Sequence, residues 1–188
     1  MPRFEECLAL GRRYERLDLE IGCGVGWHPI VYAKTNSDRG LIAIEHTVTK
    51  FESFESRLRR NPEIPNLAAV HANAVSWLAH APAALTFDRV LFMYPNPEPK
   101  NAAKRWIRMP FFGALLERLR PAAEILIVTN EAGYAREVET EAKTRWGLNK
   151  ISLKTISRRE DPEFKPRTHF EKKYFLRDEI LHELRISP

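Results

Sequence analysis

The chain has 188 residues, 44% hydrophobic and 29% charged, the size and balance of one ordinary globular domain with no room for a second. It holds no apolar run of the roughly 18 residues a membrane helix needs, and its charged opening lacks the apolar stretch of a signal peptide, so neither is expected. The net charge of +5 is one-sided: residues 1–94 carry 11 Lys/Arg against 11 Asp/Glu, residues 95–188 carry 19 against 14, which fits either a solvated basic surface or a face turned toward a polyanion.

Short apolar runs alternate with longer amphipathic ones. Leu17–Ile21 reads as a strand, followed by the turn Gly22-Cys23-Gly24-Val25-Gly26 and a helix over about 27–34. A second strand spans 41–45 and a helix 47–60, with Val48, Phe51, Phe54 and Leu58 near helical spacing. Then come a strand over 67–71, a short helix over 74–80 and an apolar strand over 87–94. That strand runs into Pro95-Asn96-Pro97-Glu98-Pro99, where three prolines forbid regular structure. The spacing predicts a helix over 104–120, broken at Pro110, a strand over 124–129 and a helix over 131–145. The tail reads as strands near 148–156 and 169–175 around a charged, Pro-containing loop, with a short helix from Arg177. Strand–helix alternation predicts an α/β domain with a largely parallel sheet, residues 1–188 forming one unit. In such sheets ligands bind beyond the carboxyl ends of the strands, so segments 22–28, 45–46, 72–74, 94–100 and 129–131 are where chemistry is expected.

Gly22, Gly24 and Gly26 form GxGxG between a strand and a helix, where bare backbone lets a ligand approach closely. Glu45 closes the next strand, placed to accept both ribose hydroxyls of an adenosine-type cofactor. The dinucleotide fingerprint needs a glycine at position 27, which is Trp27, and no Gly-Lys-Ser/Thr marks a triphosphate loop. S-adenosylmethionine, which has no phosphate, fits better. Glu20 and the 22–26 loop would serve its amino-acid end, and Asn73 would reach the adenine. Trp27 reads equally as a cover for the cofactor or as an ordinary helix residue. Cys7 and Cys23 are too few for a disulfide framework or a cysteine-rich zinc site, the histidines show no ligand spacing, and a reducing cytoplasm with no metal is expected.

LEIGCGVG, IAIEH and the Asn73-Ala74 pair together resemble a class I methyltransferase. FMYPNPEPK at 92–100, KRWIRMPFF at 104–112, VTNEAGYA at 128–135 and PRTHFEKK at 166–173 resemble, in order, the motifs of the tRNA (guanine-N7-)-methyltransferases, over residues 17 to about 184. The resemblance implies a Rossmann-like, seven-stranded, mostly parallel sheet with helices on both faces, and a diverged member of that family. It also implies S-adenosylmethionine as cofactor, held by Glu20, Gly22, Gly24, Gly26, Glu45, His46, Asn73 and Ala74. The partner would be tRNA, methylated at N7 of a variable-loop guanine, with Asn96, Lys100, Asn130, Thr168 and Glu171 around the base. Lys104, Arg105, Arg108 and Arg167 would hold the RNA backbone. The chain departs from the family pattern at Asn96 and Asn130, where aspartates are usual. Two other readings remain open at this point: a diverged methyltransferase acting on another RNA or a small molecule, and a non-catalytic RNA-binding module that keeps the fold.

Overall fold

The structure, a computed structural model, describes residues 3–188. In chain order its elements are α1 (Phe4–Arg13), β1 (Arg16–Ile21), α2 (Trp27–Thr35), β2 (Arg39–Glu45), α3 (Val48–Arg59), β3 (Leu67–His71), α4 (Ala74–His80) and β4 (Phe87–Met93). They continue with α5 (Pro110–Leu116), β5 (Leu119–Thr129), α6 (Ala132–Trp146), β6 (Lys150–Ile156), α7 (His169–Leu176) and β7 (Leu181–Ser187). All seven strands form one sheet in the order β3-β2-β1-β4-β5-β7-β6. The first five are parallel, and β7 runs antiparallel between β5 and β6.

Alternation along the strands sorts side chains between two cores, as a period of two requires. Ile42, Ile44, Val90, Phe92, Ile125 and Ile127 face α1, α4, α5 and α6. Leu41, Ala43, Leu91, Met93, Leu126 and Val128 share the opposite core with Phe51, Phe54 and Ala33 of α3 and α2. Burial on both faces explains why β2 is buried throughout, as parallel sheets demand. In β1 the same alternation turns Leu17, Leu19 and Ile21 to the first core, so Asp18 and Glu20 lie on the other face, toward α2. Both are satisfied there. Arg39 grips Asp18 through Nε and Nη2 at 2.6 and 2.5 Å, Tyr32 donates to it at 2.6 Å, and His28 Nδ1 lies 2.8 Å from Glu20.

Several expectations need correction. The opening segment, to which the sequence pattern assigns no element, forms α1, whose Cys7 and Leu10 pack into the first core. Residues 104–120 are not one helix. Two 3₁₀ turns, Ala102–Lys104 and Trp106–Arg108, precede α5, and Pro110 opens α5 at its first position, where its missing N–H is harmless. Strand β5 starts five residues earlier than expected, with its pairing to β4 shifting register between Phe87 and Arg89. Residues 169–175, expected as a strand, are helix α7. Thr168 Oγ1 accepts from the Glu171 N–H at 2.9 Å while Glu171 reaches back to the Arg167 N–H at 2.5 Å, a variant of the T-x-x-E capping box. The expected terminal helix is instead β7, whose Leu181, Leu184 and Ile186 complete the core.

Candidate functional site

Because β1 to β5 are parallel, their carboxyl ends line one edge of the sheet, and every expected ligand segment opens there. The glycine turn is tied to the end of β2: the N–H groups of Gly22 and Cys23 both donate to the Ile44 carbonyl, at 2.9 and 3.1 Å. Gly22, Gly24 and Gly26 have φ of 74°, 61° and 78°, the left-handed region that other residues rarely enter. Their reasons for being glycine differ. A Cβ on Gly26 would sit 1.9 Å from the Phe54 ring, so this glycine lets α2 and α3 close. Around Gly22 and Gly24 nothing lies within 4 Å of such a Cβ, so their backbone is open to a ligand.

Glu45 joins the turn to the next strand. Its side chain is buried, and it accepts from the Gly24 N–H at 2.8 Å and the Thr47 N–H at 2.7 Å, one bond on each oxygen. Burial alone would raise its pKa. The Thr47 and Gly24 bonds, aided by Lys50, outweigh it and hold the carboxyl below the ordinary value. A carboxylate offers about four lone-pair sites, so beyond the two N–H bonds and the Thr47 side chain it keeps capacity to accept a ligand hydroxyl. His46 is exposed beside it, its Nδ1 3.4 Å from Glu45, and its carbonyl lies 3.1 Å from His71 Nε2. Asn73 caps α4 with Oδ1, accepting from Val75 and Ser76 at 3.0 and 3.2 Å, which leaves its Nδ2 as the group for a ligand. Ala74, buried beneath, is the first residue of α4.

Glu20 does not join this set. It is buried under α2 against His28, and so supports the turn rather than lining the open edge. Cys23 is buried too. Burial, then Glu20 and Glu45, push its thiol well above the usual value, which keeps it protonated. Trp27 is exposed and lines a cleft of about 260 Å³ between α2 and α3 with Ile30, Val31, Arg57, Arg60 and Asn61, on the outside of the helix pair.

The second half of the edge starts at Tyr94, whose N–H donates to the Val128 carbonyl at 2.8 Å and whose φ of 56° turns the chain sharply out of β4. Asn96 is exposed and accepts from the Glu98 N–H at 3.1 Å, shaping the proline turn. Asn130 stands at the end of the adjacent strand, its Nδ2 donating to Glu179 at 3.0 Å. Lys100 and Lys104 are exposed. The expected RNA-holding arginines are engaged inside the protein. Arg105 donates from Nε to the Pro97 carbonyl at 2.7 Å and pairs with Glu137. Arg108 pairs with Glu137 and, at 3.2 Å, with Glu141. They pin the 97–108 loop to α6. Arg167 pairs with Glu171 and Glu183, each at 2.7 Å. Thr168 and Glu171 are buried as the cap of α7, with Glu171 fully enclosed, so neither presents its oxygens at the edge. What α7 presents there is aromatic: Phe170 and Tyr174 pack against Tyr94 with ring centroids 5.9 and 5.5 Å away. Neither ring belongs to the expected site. The exposed Phe between the capping Thr and Glu was the available signal. Among the described residues no group of three or more His, Cys, Asp and Glu side chains could hold a metal, and no helix is long and apolar enough to cross a membrane.

Residues 15–184 match the protein family described as "Putative methyltransferase". The chain belongs to this family. Among curated proteins it is 30% identical over 122 residues to the tRNA (guanine-N(7)-)-methyltransferase of Mycobacterium avium, covering 64% of this chain and 47% of that one. It is 28% identical over 163 residues to the enzyme of the same name from Thermus thermophilus, covering 86% and 49%. The chain thus spans about half the length of the curated relatives it matches. Among solved structures, the 16S rRNA methyltransferase KamB superposes with a TM-score of 0.72 over 98% of this chain and 94% of that one at 18% identity. An antibiotic-related methyltransferase gives 0.70 over 98% and 93% at 15% identity. With the strand order above, these likenesses establish the Rossmann-like class I methyltransferase fold.

Proposed function

We propose that the chain is an S-adenosylmethionine-dependent methyltransferase whose acceptor is N7 of a guanine in tRNA. The observation that carries the reading is the glycine turn held beside Glu45, with open space at Gly22 and Gly24 and remaining acceptor capacity on a buried, ionised carboxylate. Those groups suit an uncharged ribose and a zwitterionic amino acid, not a diphosphate. The donor supplies an electrophilic methyl group. The open turn over Gly22–Gly24, whose N–H groups are bonded to Ile44 and Glu45, gives the amino-acid end room beside its backbone, Glu45 orients the ribose, and His46, Asn73 and Ala74 bound the adenine. Family membership supports methyl transfer, and the curated relatives support tRNA as the acceptor.

Guanine N7 is a lone-pair acceptor with no proton to remove, so the protein needs no general base there. Orientation supplies most of the catalysis. Asn96 and Asn130 offer amide groups to the guanine edge from adjacent strand ends, and exposed Lys100 and Lys104 are the cations placed to grip phosphates. Thr168, Glu171, Arg105, Arg108 and Arg167 act one layer back, by fixing α7 and the proline loop. The test is transfer of a labelled methyl group to an unmodified tRNA transcript and to 16S rRNA in parallel. Label in tRNA alone is expected; label in rRNA alone would overturn the assigned acceptor.

A further inference from the structure

Resting on the reading above, we propose that Phe170, backed by Tyr94 and Tyr174, is the platform that receives the target base and that stabilises the positive charge the base acquires. The three rings pack mutually, with Phe170 and Tyr174 stacked at 6.1 Å and 20°. Phe170 is 47% exposed. A large apolar ring left in water at the end of α7, beside the residue that leads into the proline turn, is a surface shaped for a flat partner. The backing is built at a cost. Tyr94 holds a left-handed φ that non-glycine residues avoid, and its buried hydroxyl lies against Glu171.

The chemistry explains why rings would serve there. The N7 lone pair forms the new nitrogen–carbon bond as the carbon–sulfur bond breaks and its pair stays on sulfur. No proton moves. The sulfonium charge disappears and the guanine gains it, so the base leaves as a cation. A carboxylate would offset that charge, yet positions 96 and 130 are asparagine, Glu171 is sealed against Arg167, and Glu179, the carboxylate beside Tyr174, is already engaged by Asn130 Nδ2 at 3.0 Å. A ring face attracts a cation through its quadrupole and holds the cationic base more strongly than the neutral one. The share of that preference already felt in the transition state, where the charge is passing from sulfur to the base, lowers the barrier.

The decisive probes are 7-methylguanosine monophosphate and guanosine monophosphate, titrated into the whole chain with S-adenosylhomocysteine present. The methylated nucleotide is expected to bind roughly 3- to 30-fold tighter, the range for a ring–cation contact. Phe170→Leu should abolish that preference and Phe170→Tyr should restore it, with cofactor affinity unchanged in both. Because Phe170 is half-exposed, its replacement leaves the core intact, and a melting curve checks this. Equal binding of the two nucleotides, no binding of either at millimolar concentration, or a preference that survives Phe170→Leu would overturn the proposal. Failure of tRNA methylation alongside an intact nucleotide preference would instead refute the assigned acceptor and leave the ring platform standing.

Discussion

Replacing Glu45 by Gln probes the cofactor site with almost no change in shape. The carboxylate accepts one backbone N–H on each oxygen, from Gly24 and Thr47, and is nearly fully buried. An amide can accept only one of them. The other N–H then faces an NH₂, and two donors meet in a site water barely reaches. The structure itself therefore loses a hydrogen bond to a charged group, worth about 1.5–3 kcal/mol, which lowers the melting temperature without unfolding the chain. The second effect falls on the ligand. The ribose hydroxyls lose a charged acceptor, and one meets a donor instead. One such charge-assisted bond, at about 1.5–3 kcal/mol, corresponds to roughly a 10- to 150-fold weaker affinity. Calorimetric titration of S-adenosylmethionine into the folded variant measures it. A dissociation constant within about twofold of the unsubstituted protein would refute the ribose role, because no arrangement that uses this carboxylate tolerates its neutralisation so cheaply.

The lysines and arginines of the proline loop should separate by salt dependence. Lys100→Ala and Lys104→Ala each should lower the slope of log affinity for tRNA against log salt by about 0.9 or less. Arg105→Ala and Arg108→Ala should leave that slope unchanged and slow turnover by loosening the loop from Glu137, which transfer assays and titrations at two salt concentrations can resolve. Asn130→Asp alone should reduce activity, since the new carboxylate would face Glu179 at the position where Asn130 now donates at 3.0 Å; combined with Glu179→Gln it should recover, by steady-state transfer rates. Stability should fall in acid. Burial opposes ionisation of Glu45 and Glu183, but N–H donors at one and Arg167 and Arg185 at the other outweigh it and depress both values. That stabilisation is complete above the ordinary carboxylate value of 4.5 and is lost as pH drops through the lower folded values, which denaturant midpoints over a pH series will trace.

The parallel half of the sheet was readable because its strands carry two-sided apolar runs separated by glycine and proline signals. The C-terminal part resisted for a physical reason. In HFEKKYFL the apolar residues suit a short strand as well as a short helix, and the cap formed by Thr168 and Glu171 decides between them. Segment 181–187 places Glu183 and Arg185 within a strand, where their pairing with Arg167 and Glu124 neutralises them. The glycine turn and Glu45 were legible because backbone conformation and strand-end position leave marks in one dimension. The roles of Arg105, Arg108 and Arg167 were not, since a basic residue looks the same whether its partner is a phosphate or a glutamate of the same chain, 32 and 29 positions away for Arg105 and Arg108 and 4 and 16 for Arg167. Glu20 was legible in part. In LDLEI the alternation already sets it on the face of Asp18, beneath the helix rather than at the edge.

The central claim is the identity of the acceptor atom. Unmodified tRNA transcript should be incubated with the protein and S-adenosylmethionine, digested to nucleosides and analysed by mass spectrometry, with the position mapped by cleavage at the modified base. The account predicts 7-methylguanosine at a single guanine of the variable loop. A methyl group on any other atom, or no methylated nucleoside from a protein that binds the cofactor, would contradict it.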